Sequence, residues 1–298
     1  MGAVAASAQT ALDARIDPDT TLGTVTLTVA DLARSRAFYE QPIGLRGQEL
    51  DDGGLALAGN DERPLIELRG DSSALPLQHT ATGLYHLAIL VPTRLDLALA
   101  LARLAAFQWP LDGASDHLVS EALYLSDPDG NGIEIYRDRP RHEWRRVGGQ
   151  LQMATLPLDL ESLAGELRAA SGPQALLPAG TRIGHVHLQV ASLEQAEAFY
   201  HELLGFDVMV RGYPGALFVS AGGYHHHIGL NTWHSAGAAP APPGSVGLRS
   251  FEVVLPSADQ LAGITARLHR AGAPVETTSA GTLTRDPSGN AVLLRARG

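Results

Sequence analysis

The chain contains no cysteine. Disulfides, zinc–thiolate sites and cysteine nucleophiles are therefore excluded, and thiol chemistry says nothing about compartment. A basic excess is also missing: 22 Lys and Arg stand against 32 Asp and Glu, a formal charge of -10. That disfavours a nucleic-acid partner, which calls for a basic face. No apolar run approaches the roughly 20 residues of a membrane-crossing helix. The Ala-rich start, Met1 to Thr10, lacks the basic opening and longer apolar run of a signal peptide. A cytoplasmic protein that does not engage a membrane is the expectation. The composition itself is ordinary for a globular chain, 45% hydrophobic and 18% charged. At 298 residues the length suits two domains and is enough to bury a full core.

Four stretches repeat one pattern. Gly23-Thr24-Val25-Thr26-Leu27-Thr28-Val29 alternates apolar and polar residues, as a strand does, and is followed by a helical segment ending in Phe38-Tyr39 and by Ile43-Gly44-Leu45. Gly184-His185-Val186-His187-Leu188-Gln189-Val190 is followed likewise by Phe199-Tyr200 and Leu204-Gly205-Phe206. Asp31 and Ser192 sit where helix N-caps belong, and the glycines suit a left-handed helix end. A second pair matches too. Leu84 to Pro92 parallels Leu248 to Pro256, helical patterns follow at Leu95 to Ala105 and Asp259 to Ala271, and the turns Asp127-Pro128-Asp129-Gly130-Asn131 and Asp286-Pro287-Ser288-Gly289-Asn290 correspond. The units begin near residues 22, 83, 183 and 247. Domains are expected at 21–145 and 182–298, with a mobile tail at 1–20 and a linker at 146–181 holding a short helix around Leu158 to Ala169.

Residues able to bind a metal are concentrated in the two middle units. Unit two has His86 and Glu134, the latter between Ile133 and Ile135 on a strand. A carboxylate so placed faces water or an interior, and an interior carboxylate needs a partner. Unit three has His185 and His187 on one face of a strand, and the run His225-His226-His227, of which alternation lets at most one class line a pocket. His187 is open to a supporting or a surface role. Trp233 and His234 are candidates for a pocket wall or for loop packing; Gly237 to Gly244 reads as a flexible loop and Arg137 to Arg146 as a solvated basic stretch. Two histidines and one carboxylate are the ligand set of non-haem Fe(II) oxygenases, with positions left for substrate and O2.

This arrangement of residues resembles the vicinal oxygen chelate superfamily (glyoxalase, bleomycin resistance, dioxygenase), and within it the catechol 2,3-dioxygenase-like, type I extradiol enzymes. The resemblance runs from about residue 21 to 297. It implies an α+β fold of four βαβββ modules forming two half-open barrels. The family's first-strand ligand position falls on Thr24, His86, His185 and Ser250 in the four units, and its carboxylate on Glu134 and Leu293. Its acid/base histidine falls on His226 in unit three's last strand, with Pro64 at the matching position of unit one. Its tyrosine falls on Tyr124, with Leu283 in unit four. His117 lies near a further substrate-side histidine, though not at the same spacing. The usual extradiol pattern places the ligands in units three and four; here unit four has lost them and unit two has them. Unit two is therefore expected to pair with unit three around one metal bound by His86, Glu134 and His185, with units one and four pairing as a structural partner. A site confined to units one and two, using Glu67, is the alternative. The implied activity is cleavage of a catechol-type aromatic diol with O2, using Fe(II) or alternatively Mn(II), with His226, Tyr124 and His117 as catalytic residues and a homo-oligomer possible. A glyoxalase-like isomerase or lyase with Ni(II) or Zn(II), and a non-catalytic binding or resistance protein, are the rival readings.

Overall fold

A computed structural model describes residues 15–148, 150–170, 172 and 175–297. Unit one comprises β1 (Thr21–Val29), α1 (Leu32–Phe38), β2 (Arg46–Glu49), β3 (Leu55–Ala58) and β4 (Ile66–Gly70). Unit two comprises β5 (Gly83–Leu90), α2 (Arg94–Ala106), β6 (Gly113–Asp116), β7 (Ser120–Ser126) and β8 (Gly132–Asp138). A hairpin of β9 (Arg146–Val147) and β10 (Gln150–Leu151) follows, then β11 (Leu156–Pro157) and α3 (Leu160–Gly165). Unit three comprises β12 (Arg182–Gln189), α4 (Leu193–Glu197), β13 (Asp207–Val210), β14 (Ala216–Ser220) and β15 (Ile228–Asn231). Unit four comprises β16 (Gly247–Leu255), α5 (Ala258–Arg270), β17 (Val275–Thr278), β18 (Gly281–Arg285) and β19 (Ala291–Ala296).

Local chemistry explains why each unit starts as it does. The side chains of Asp31, Thr93, Ser192 and Ser257 each accept the backbone N–H three residues on, satisfying one of the open donors at a helix start. Units one and three leave their helix through a π-helical turn, Tyr39–Ile43 and Ala198–Leu203. Gly44 at φ 82° and Gly205 at φ 93° then reverse the chain in a backbone region that a side chain disfavours.

The sheets cross the order of the sequence. One has the strand order β17-β18-β19-β16-β1-β4-β3-β2, joining units four and one; the other runs β11-β6-β7-β8-β5-β12-β15-β14-β13, joining units two and three. Antiparallel pairing of β5 with β12 sets His187 opposite His86, and that of β1 with β16 sets Thr26 opposite Ser250. The repeat is visible in the register: Tyr124 pairs with Glu134 across β7 and β8 as Leu283 pairs with Leu293 across β18 and β19. The expected pairing of units two and three, and of one and four, is the architecture found.

Val25, Leu27, Leu87, Ile89, Val186, Leu188, Phe251 and Val253 from the four central strands share one buried core. Each such side chain contributes about 1.5–3 kcal/mol by leaving water. Two buried turns tie the sheets together. The Tyr39 hydroxyl donates to Asp127 at 3.1 Å, and the Tyr200 hydroxyl donates to Asp286 at 3.0 Å. Each aspartate also accepts two backbone N–H groups of its own turn and the amide of Asn131 or Asn290. Burial pushes both carboxyl pKa values up despite those bonds.

Within the segment expected as a tail, residues 1–14 lie outside the described residues. Ile16 is buried in the core and its N–H bonds Gly205 O, so order begins before β1. The segment expected as a linker carries its helix at Leu160–Gly165, and it also supplies β11, which pairs with β6 at the edge of the nine-stranded sheet.

Candidate metal centre

Three neighbouring strands aim their side chains at one point. Ala88 on β5 lies opposite Glu134 on β8 and His185 on β12, and His86 is two residues away on the same face. The methyl of Ala88 thus stands behind the three donors and leaves the space in front of them open. His185 Nε2 is 2.9 Å from Glu134 Oε2, His86 Nε2 is 3.0 Å from the same oxygen, and the two nitrogens are 3.3 Å apart. All three residues are buried. Donors about 2.1 Å from a common ion and at right angles around it are about 3.0 Å apart, the edge of an octahedron. The separations match one face of such a shell. Among the described residues this is the one group of histidines and carboxylates that converges closely enough to hold an ion.

The electrostatics suit that use. Burial drives the His185 pKa down to about 4, against the pull of Glu134, so its imidazole is neutral and has a lone pair to give. Burial alone would raise the Glu134 pKa, but its contacts with His185 and His86 outweigh that and hold the carboxyl well below its usual range. A carboxylate and neutral imidazole, both inside the protein, are a donor set for a divalent first-row transition-metal ion.

The alternative with Glu67 does not survive. Glu67 lies on β4 of the other sheet, where it ion-pairs with Arg69 at 3.0 Å. At the corresponding strands of that sheet, Thr24 donates to Pro64 O, and Glu252 ion-pairs with Arg295 at 3.2 Å.

Around the cluster, Tyr124 lies beside Glu134, and its hydroxyl is 2.6 Å from His117 Nε2. His117 Nδ1 is 2.7 Å from Ala154 O, a group that only accepts, so Nδ1 carries the ring proton and the tyrosine donates to Nε2. The bond of His117 to the segment after unit two sets its ring against Tyr124. Burial, reinforced by Glu134, raises the Tyr124 pKa well above normal.

His226 faces the same cavity, its ring 4.1 Å from that of His185 between centroids. Burial lowers its pKa well below that of a free histidine. The expectation that it lies in a strand is corrected: the run His225 to His227 is in the bend before β15. The chain reaches that strand only at Ile228, although His227 already bonds Val219 O and Val186 N. His187 is not on the surface; it is 4% exposed, lines the cavity, and packs against His86, Tyr85 and Trp233. Trp233 and His234 do wall the cavity. The loop expected at Gly237 to Gly244 forms part of that wall and is tied back by Thr82 N to Ala239 O and Leu75 N to Gly244 O. The stretch expected as solvated and basic is instead partly an internal ion network: Arg137 and Arg94 both hold the buried Glu121, at 2.6 and 2.9 Å.

Sequence reasoning missed Ala88, Tyr85 and Asp138. For Asp138 a signal existed, since Glu134, Tyr136 and Asp138 alternate along β8 and therefore share a face. The cavity in front of the donors measures about 1340 Å³, runs between the two sheets and opens to solvent. It exceeds the ~300–1,000 Å³ of ordinary small-molecule pockets.

The chain resembles known proteins along most of its length. The chain is 45% identical over 282 residues to the catechol-2,3-dioxygenase of Bacillus subtilis (strain 168), spanning 93% of this chain and 98% of that protein. Among solved structures, a candidate dioxygenase from Bacillus subtilis subsp. subtilis str. 168 superposes with a TM-score of 0.64 at 14% identity, covering 95% of this chain and 86% of that one. Glyoxalase I from Zea mays superposes with a TM-score of 0.57 at 14% identity, covering 93% and 92%; at such identities the likeness concerns the fold. The sequence pattern of the Glyoxalase/Bleomycin resistance protein/Dioxygenase superfamily matches residues 21–135 and 182–294, and the chain belongs to that superfamily.

Proposed function

We propose that the protein is a metal-dependent extradiol dioxygenase that opens the ring of a catechol-type diol with O2. The observation that carries this reading is the group His86, Glu134 and His185, with donors spaced as one face of an octahedral shell, in a chain 45% identical to a catechol-2,3-dioxygenase along nearly its whole length. Fe(II) is the proposed ion, with Mn(II) as the alternative that the same donors would accept. When bound, the metal would draw both reactants together and favour the ionised diol.

The remaining work falls to the protein. His86, Glu134 and His185 occupy one side of the site and leave the cavity side open. His226, neutral and facing the cavity, is placed to take a proton from the diol and to return it later in the reaction. Tyr124 presents its hydroxyl beside the cluster and is held there by His117. Tyr85, Trp233 and Phe218 offer aromatic walls against which a ring can lie. An isomerase of the glyoxalase type needs neither the histidine nor the tyrosine, and their presence on the cavity favours the dioxygenase.

The test is metal analysis of the purified protein, anaerobic catechol titration, and turnover in ¹⁸O2. One O2 consumed per diol, with both labelled atoms in a ring-opened product, is expected. Isomerisation of a hemithioacetal without O2 uptake, or tight ligand binding without any turnover at full metal occupancy, would overturn the reading.

A further inference from the structure

Behind His226 a chain of buried polar groups leads away from the cavity. His226 Nδ1 is 2.8 Å from His225 Nδ1, and His225 Nε2 is 2.9 Å from Asp138 Oδ1. The same oxygen receives the Tyr224 hydroxyl at 3.1 Å, and Tyr224 Oη lies 2.7 Å from that of Tyr136. His225 is fully buried, whereas the Asp138 side chain retains 24% exposure at the end of β8. The Asp138 carboxylate only accepts, so both the Tyr224 hydroxyl and His225 Nε2 must donate to it. A His225 ring with one proton then has Nδ1 bare. The short contact between the two Nδ1 atoms needs one proton between them, and it must come from His226.

We infer that Asp138, acting through His225, fixes His226 as its Nδ1–H tautomer and so reserves the Nε2 lone pair for the cavity. The logic is that of any histidine whose free nitrogen is chosen by the bond its other nitrogen makes. It differs from a carboxylate–histidine pair in having a second imidazole interposed. Asp138 and His225 are positioning residues; neither lines the cavity. The other tautomer would present an N–H to the diol and could not take its proton. Tyr136 and Tyr224 complete the arrangement by holding the aspartate oxygen in place: Tyr136 donates to Tyr224 because Tyr224 must spend its own proton on Asp138. Gly184 leaves room for this, since a Cβ there would come within 1.8 Å of the Tyr136 hydroxyl oxygen.

The inference rests on the proposed role of His226, but its test does not depend on turnover alone. In protein labelled with ¹⁵N-histidine and loaded with Zn(II) as a diamagnetic probe, the ring-nitrogen shifts of His226 report which nitrogen is protonated. Nδ1–H is expected in the wild type. Asp138→Ala removes the acceptor, and Nε2–H should become populated. In the active enzyme the same variant should lose about 10²-fold in kcat, with KM and metal content unchanged. Asp138→Asn retains a carbonyl oxygen able to accept both bonds and should recover most of the tautomer and of the rate. An Nε2–H tautomer in the wild type would overturn the inference, as would an Asp138→Ala enzyme that keeps the wild-type tautomer, whatever its rate. Absence of diol cleavage in the wild type would defeat the proposed function while leaving the tautomer measurement to stand or fall by itself.

Discussion

The Nε2 atoms of His86 and His185 are 3.3 Å apart although the residues are 99 positions apart in the chain. They meet because β5 and β12 pair at the centre of the nine-stranded sheet, so each half of the chain supplies part of the donor group. Neither half contains the group by itself.

Removing any of the three donors should therefore have the same effect. His86→Ala, Glu134→Ala and His185→Ala are each expected to lower metal content more than about 10-fold after dialysis, since an incomplete shell binds weakly. Elemental analysis against total protein measures this. Full occupancy in His185→Ala would refute a site shared between the two halves.

His226→Ala should behave differently. Metal content is expected to stay near that of the wild type while kcat falls by about 10²–10⁴-fold, the usual contribution of a proton-transfer group. Steady-state O2 uptake beside elemental analysis separates the two effects. Metal loss equal to that in His86→Ala would make His226 a ligand, and an unchanged rate would remove it from the reaction.

Tyr124→Phe deletes the hydroxyl that donates to His117 Nε2 and leaves that ring held only by its Nδ1 bond to Ala154 O. A loss of about 10-fold in kcat is expected, the equivalent of one hydrogen bond of ~1.4 kcal/mol. Rapid-mixing kinetics should show normal substrate binding and slow chemistry. A change confined to KM would assign Tyr124 to binding only.

The two tyrosine–aspartate ties can be tested as a pair. Tyr39→Phe and Tyr200→Phe each take a hydrogen bond from a buried carboxyl, at a cost of about 1–3 kcal/mol. The two ties share no residue and belong to different pairs of units, so the double variant should show the sum to within about 0.5 kcal/mol. Urea denaturation of the metal-free protein measures it. Stability unchanged in both single variants would show that the turns hold without the tyrosines.

His227 supplies a pH dependence. Burial lowers its pKa to about 3, and its Nδ1 accepts the Ala221 N–H at 3.1 Å. Unfolded, it would titrate near pH 6.5. Above that pH it is neutral in both states and contributes no slope. Below it the unfolded chain binds a proton that the folded chain refuses, so stability falls on acidification from about pH 6.5 toward 3, by up to ~1.4 kcal/mol per pH unit. His227→Asn keeps an acceptor oxygen without titrating and should remove that part of the slope. Equal slopes in both proteins between pH 6.5 and 5 would contradict the assignment.

The repeat, the helix starts and the Asp-Pro turns were legible from the residues alone, because alternation, caps and turn chemistry act over a few positions. Asp31, Thr93, Ser192 and Ser257 cap their helices whatever the rest of the chain does. The cross-pairing of units was also readable, though only through the uneven distribution of donors: Ser250 and Leu293 stand where unit four would need a histidine and a carboxylate, and His86 and Glu134 stand in unit two. Register lay beyond that reach. Which residue faces Ala88, that His117 finds Ala154 in the connecting segment, that the His225 to His227 run bends before β15, and that Asp138 meets His225 87 positions away all depend on how strands slide against one another when the core closes. Strand alternation tells which residues share a face, but a one-residue slip exchanges the faces. Packing of the two sheets, which is non-local, settles that choice.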